Sequence, residues 1–134
     1  MEKQFEQFLE SEWGLELWLG NEIIFRSKKS GVKGLLDFIN ERQEPCRDLV
    51  IFDKIVGQGA AFLAAYLNTR EVYGGVGSEL AAKALEKYKI KFYFLKTIPN
   101  ILNRDKTDLC PLEKLSLDKT PEEFYNALKQ KCLS

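Results

Sequence analysis

The chain has 134 residues, with 20 Lys plus Arg balanced by 20 Asp plus Glu and a hydrophobic share of 45%. That length suits one domain over residues 1–134, large enough to bury a core without disulfide staples. The zero net charge argues against a nucleic-acid binder, whose affinity draws on a basic excess, and the absence of histidine removes Ser-His-Asp and Cys-His catalysis along with every His-metal motif.

Residues 3–12 put Phe5, Phe8 and Leu9 on one face, with Trp13 beyond, and predict an amphipathic helix. "LELWLGNEIIFR" follows as two strands about a Gly20-Asn21 loop, residue types that tolerate the positive φ of hairpin turns. In "SGVKGLLDFINERQ", Val32, Leu35, Leu36 and Ile39 recur at i, i+3, i+4 and i+7, which predicts a helix with Ser30 as N-cap. "EPC" breaks it. Leu49 to Phe52 is a short continuous apolar run of the kind found in parallel strands buried on both faces, and Asp53 and Lys54 are read as its end. Ala60 to Leu67 is apolar nearly all round and predicts a helix enclosed on most sides.

"EVYGGVG" is a strand with a glycine-rich end, and "SELAAKALEKY" a helix capped by Ser78. "IKFYFL" is a further strand, with Ile90, Phe92 and Phe94 on one side. Residues 96–118, "KTIPNILNRDKTDLCPLEKLSLD", carry little periodicity and read as a long functional loop. The last helix opens at "TPEEF", with Thr120 as N-cap, Pro121 at N1 and Glu123 at N3 of a capping box.

Three strands alternating with helices predict a parallel sheet, to which the hairpin adds an antiparallel member. The expected fold is α/β: a mixed five-stranded sheet with helices on both faces. Ligands of such sheets bind beyond the carboxyl ends of the strands. Asp53 and Lys54, then Gly74, Gly75, Gly77 and Ser78, then Asn103, Arg104, Asp105 and Cys110 are all expected at that one rim. The start of the 55–67 helix, through Gly57, Gln58, Gly59 and Ala60, offers unpaired N–H groups and the positive end of a dipole to an anion. Each motif also has a plainer reading. "GQGAA" is a lone GxG with Phe62 where a dinucleotide fingerprint has a third small residue. Asp53 can simply cap the helix that follows it, and "GGVGS" can be a turn plus a cap. Cys110 is a nucleophile only if its pKa is lowered, a task for Arg104; otherwise it is an inert thiol, as Cys46 and Cys132 are read to be. Trp13 and Trp18 read as core or interface.

No apolar run reaches the roughly 18 residues of a spanning helix, and "MEKQFEQFLESEW" is too charged for a secretory signal. Three cysteines without a CxxC pair fit a reducing compartment and no structural zinc. The chain is expected to be cytoplasmic, with no membrane and no cofactor.

"LVIFDKIVGQGAAFLAAY", "EVYGGVGSELAAKALEKYKIKF" and "IPNILNRDKTDLCPLEKLSL" together resemble the DUF1893 family, small prokaryotic proteins of unknown function with a cytidine-deaminase-like fold. The resemblance implies a three-layer α/β/α sandwich and a homo-oligomer. Zinc deaminases of that fold carry H-x-E and P-C-x-x-C motifs at two helix starts. Here those places read "DKIVGQGA" and "GVGSELA", so zinc-dependent deamination is not expected.

The leading expectation is a nucleotide-like ligand (nucleotide, nucleoside or ADP-ribose type) at the carboxyl edge of the sheet. Its phosphate or ribose would lie near Gly57 to Ala60 and Gly75 to Ser78, with Lys54 or Arg104 balancing charge and Asn103 nearby. Asp53 would be base or acceptor, Cys110 a candidate nucleophile, and either a point for a covalent adduct. The alternative is a non-catalytic oligomeric interaction or regulatory module using Trp18, Tyr73 and Tyr93. A magnesium site on Asp53, Asp105 and Asp108 is a third reading.

Overall fold

The computed structural model describes residues 1–42, 47–102 and 111–133, with side chains through residue 130. Helix α1 (Glu2–Glu10) leads into the hairpin of β1 (Leu15–Leu19) and β2 (Glu22–Ser27). Gly20 at its tip has φ +63°, a conformation that costs glycine little. Then follow α2 (Gly31–Glu41), β3 (Leu49–Val56), α3 (Gln58–Tyr66), β4 (Glu71–Ser78), α4 (Glu79–Lys87), β5 (Lys91–Ile98), α5 (Pro111–Ser116) and α6 (Pro121–Leu133).

The sheet order is β2-β1-β3-β4-β5. β1 pairs antiparallel with both β2 and β3, while β3, β4 and β5 are parallel. This is the mixed five-stranded α/β sheet that the alternation of strand and helix patterns predicts.

Two apolar clusters lie on opposite faces of the sheet. The larger gathers Leu15, Leu17, Leu49, Ile51 and Val72 from the strands with Val32, Leu35, Phe62, Leu63, Leu85 and Phe124 from α2, α3, α4 and α6. The smaller is aromatic: Phe5 and Phe8 of α1 pack on Trp18, Val50 and Phe52. α3 is the centre of the larger layer, with Ala60 to Ala64 all buried, as its all-round apolar sequence predicts.

Three local expectations need correction. β3 does not end at Asp53 and Lys54. Its pairing continues from Asp53 opposite Gly74 to Val56 opposite Gly77, so Asp53 and Lys54 lie inside the strand. α3 starts at Gln58, with Gly57 as N-cap. Residues 96–118 are not all loop: β5 runs to Ile98, and α5 occupies 111–116.

Candidate functional site

A cavity of about 220 Å³ opens beyond the carboxyl end of β3. Its walls are the first turn of α2 (Ser30 to Lys33), Ile55 of β3, the start of α3 (Gly57, Gly59 and Ala60), and Ile101, Leu112 and Glu113. Most of this lining is apolar. Lys33, exposed on α2, brings a cation to it.

Two buried carboxylates hold the walls. Asp53 is 1% exposed and accepts the Gly31 N–H, with 3.0 and 3.1 Å to its two oxygens, and the Ile55 N–H at 3.2 Å. Gly31 is the first residue of α2 and has φ +64°. Ser30 sits at the N-cap position, but the side chain that receives the helix's first N–H comes from β3, not from Ser30. Asp53 is thus a cap, though for α2 rather than for the helix that follows it in sequence. Burial pushes its carboxyl up to about 7, against the pull of the Gly31 and Ile55 N–H groups.

Glu113, 2% exposed, does the same for α3. It accepts the Gln58 N–H at 2.5 Å and the Ile101 N–H at 3.3 Å. Gly57 permits this approach, since a Cβ there would stand 3.0 Å from a Glu113 oxygen. The N-terminus of α3, expected to be open to an anionic ligand, is therefore filled by a carboxylate of the chain itself. Glu113 was not singled out from the sequence. The sequence offers only an acid in "CPLEK", and nothing local ties it to a helix 55 positions earlier.

The other candidates separate. Gly57, Gly59 and Ala60 line the cavity. Gly59 also packs tightly, since a Cβ there would come within 2.7 Å of the Phe124 ring and 2.8 Å of Val32. The Gln58 side chain leaves the cavity, and its Oε1 accepts from the Ser116 hydroxyl at 3.1 Å. Lys54 points to the opposite face of the sheet, where its ammonium donates to the Ser11 carbonyl and lies 5.4 Å from the Phe8 ring centroid.

Gly75 packs against the Lys54 backbone and Leu9, and Gly74 and Gly77 make room for the Phe94 ring. Ser78 is fully buried and caps α4, accepting from the Ala81 N–H at 3.0 Å. The glycine-rich strand end is thus held by packing and capping, away from the cavity. Trp18 is buried, its indole N–H donating to Glu16 at 3.2 Å, which removes it from any surface role. Asn103, Arg104, Asp105, Asp108 and Cys110, like Cys46, lie outside the described residues.

Chemically, the arrangement is an apolar recess between two helix starts whose dipoles are already answered by fixed carboxylates. One of those carboxylates titrates near neutrality. Such a recess suits an uncharged group inside, with the Lys33 ammonium as the cation at its rim.

The chain matches the TM1506 family model, described as a domain of unknown function (DUF1893), over residues 6–132. It is similar to a crystal structure of a DUF1893 family protein (TM1506) from Thermotoga maritima, with a TM-score of 0.85 and 27% sequence identity. That likeness covers 97% of this chain and 88% of that one. No curated protein matches it.

Proposed function

This chain belongs to the DUF1893 family, and from the geometry of its cavity we propose that it reversibly binds a nucleoside-like small molecule, with the base in the recess between α2 and α3. The observation that carries the reading is the recess itself: apolar, at the carboxyl edge of a parallel pair of strands, where α/β sheets place their ligands. The cytidine-deaminase-like cast expected from the family resemblance supports a nucleoside over other flat molecules.

The cavity is smaller than the ~300–1,000 Å³ of sites that enclose whole drug-sized ligands, so a ring fits inside and the sugar and any phosphate stay outside. Any phosphate then meets Lys33 at the rim rather than the start of α3, which Glu113 occupies. Asp53 stands behind the lining and holds the start of α2 in place. Its oxygens are spent on Gly31 and Ile55 and it is sealed from the cavity, so the reading is reversible binding without a covalent adduct at that residue.

Native mass spectrometry and thermal shift with a panel of nucleosides and their phosphates test this. Ile101→Trp, which fills the recess from its edge, is expected to abolish the shift produced by the best nucleoside while leaving the unliganded melting temperature nearly unchanged. Equal shifts in both proteins would place the ligand elsewhere.

A further inference from the structure

We propose that a second small-molecule site lies at the opposite end of the sheet from the recess, in the groove where α3 and α4 end and α6 begins, and that it takes a free α-amino acid with an apolar or aromatic side chain. The groove holds about 730 Å³, room enough for a small ligand. Tyr66 and Thr69 come to it from the end of α3, Tyr88 and Lys89 from the end of α4, and Glu122 from the first turn of α6. β4 and β5 start just beyond, at Glu71 and Lys91, so this is the amino edge of the parallel strands. The recess at the carboxyl edge shares no lining residue with it.

Thr69 points to a ligand here. It is 6% exposed, and its hydroxyl oxygen is the one buried side-chain polar atom among the described residues that has no hydrogen-bond partner. Its backbone N–H is spent on the Ala64 carbonyl at 3.0 Å, which closes α3. A hydroxyl left buried and unpaired costs free energy, and such groups are rare in folded proteins. A ligand carboxylate seated in the groove that Thr69 lines would accept from it.

The charges at the groove define the ligand. Lys89 and Glu122 are both exposed, and among the described residues neither forms an ion pair, with the other or with a third group. Lys89 stands at φ +59°, a left-handed conformation that glycine or asparagine adopts more cheaply; Asn68 makes the same turn after α3 at φ +55°. A lysine in that place brings an ammonium to the groove at a cost in backbone strain. One cation and one anion on a single groove match a zwitterion. The ligand carboxylate meets Lys89 and the Thr69 hydroxyl, and its ammonium meets Glu122 and the negative ends of the α3 and α4 dipoles. Tyr66, Tyr88 and Ile90 supply the apolar surface for its side chain. The Tyr66 ring is held for this by stacking on Tyr125, with 4.4 Å between centroids.

Calorimetric titration of the full chain with the common α-amino acids, and with phenethylamine and 3-phenylpropionate as probes carrying one charge each, tests this. At least one apolar or aromatic amino acid is expected to bind saturably, and both single-charge probes to bind about tenfold or more weakly than phenylalanine. Thr69→Val, which keeps the shape and removes the hydroxyl, is expected to weaken the best amino acid about tenfold while the unliganded melting temperature holds or rises. Lys89→Asn, which keeps the left-handed turn and removes the ammonium, is expected to weaken it as well. No binding by any amino acid overturns the ligand class, and single-charge probes that bind as tightly as phenylalanine overturn the zwitterion. Binding unchanged in both variants overturns the site. A lower melting temperature in Thr69→Val would show that the hydroxyl already has a partner in the protein, and overturns its role.

Discussion

Glu113 caps α3 through the backbone N–H of Gln58, across 55 positions of chain and a 2.5 Å hydrogen bond. Asp53 caps α2 in the same way, through Gly31, across 22 positions. Both helices that wall the cavity thus begin on an acid supplied by another element, and neither start is stabilised by its own N-cap side chain. The caps are tertiary contacts, so holding the helices and shaping the recess are the same task.

Replacing Glu113 tests that coupling. Glu113→Gln keeps an acceptor for the Gln58 N–H but loses the charge facing the dipole, and Glu113→Ala loses both. The expected cost is about 0.5–2 kcal/mol, larger for alanine. Urea denaturation measures it. No loss in either variant would mean that the cap contributes nothing.

The Asp53 carboxyl gives stability a pH dependence. Its pKa stands at about 7 in the folded chain, raised from 3.8 by burial. Between those values the folded state holds a proton that the unfolded state has released. The contribution is complete below about pH 4, falls as pH rises, and is gone above about pH 7. Its size is at most about 4 kcal/mol. Asp53→Asn, which is neutral throughout, should flatten this slope in denaturation curves recorded from pH 4 to pH 8. Parallel pH profiles in the two proteins would assign the slope to other groups.

Gly59→Ala is expected to cost about 1–3 kcal/mol, because the added methyl would meet the Phe124 ring and Val32 inside van der Waals distance. Phe124→Leu in the same chain should recover part of that loss by vacating space. Calorimetric melting of the single and double variants decides it.

The sequence made some of this legible and hid the rest for definite reasons. The Gly20 hairpin, the Ser78 cap and the Thr120–Glu123 capping box are local, with partners within three positions, and all stand in the structure: Thr120 N–H donates to Glu123 at 2.9 Å, and Glu123 N–H to the Thr120 hydroxyl at 3.2 Å. The sequence places the end of β3 too early because an acid inside a strand breaks the apolar run without ending the ladder; Asp53 is tolerated there because α2 brings it an N–H. The glycines of β4 looked like a ligand loop, yet they accommodate Phe94, a ring from the next strand that no local pattern connects to them. Gly57, Gly59 and Ala60 line the recess, whereas nothing near Glu113 in the sequence points to its partner, 55 positions away.

Lys33 should discriminate between ligands. If it meets the phosphate of a bound nucleotide at the exposed rim, Lys33→Ala lowers nucleotide affinity about two- to fivefold, the range of an exposed ion pair. It should leave the affinity for the parent nucleoside unchanged. Calorimetric titration of the two ligands against both proteins gives the four constants needed. Equal losses for nucleoside and nucleotide would remove Lys33 from phosphate contact.

An amide NMR titration of the wild-type chain with the best-binding nucleoside tests the central reading most directly. The largest shifts are expected together at Gly31, Gly57, Ala60 and Ile101, the residues around the recess. Saturable shifts centred instead on Gly75 and Ser78, or none with any nucleoside, would contradict it.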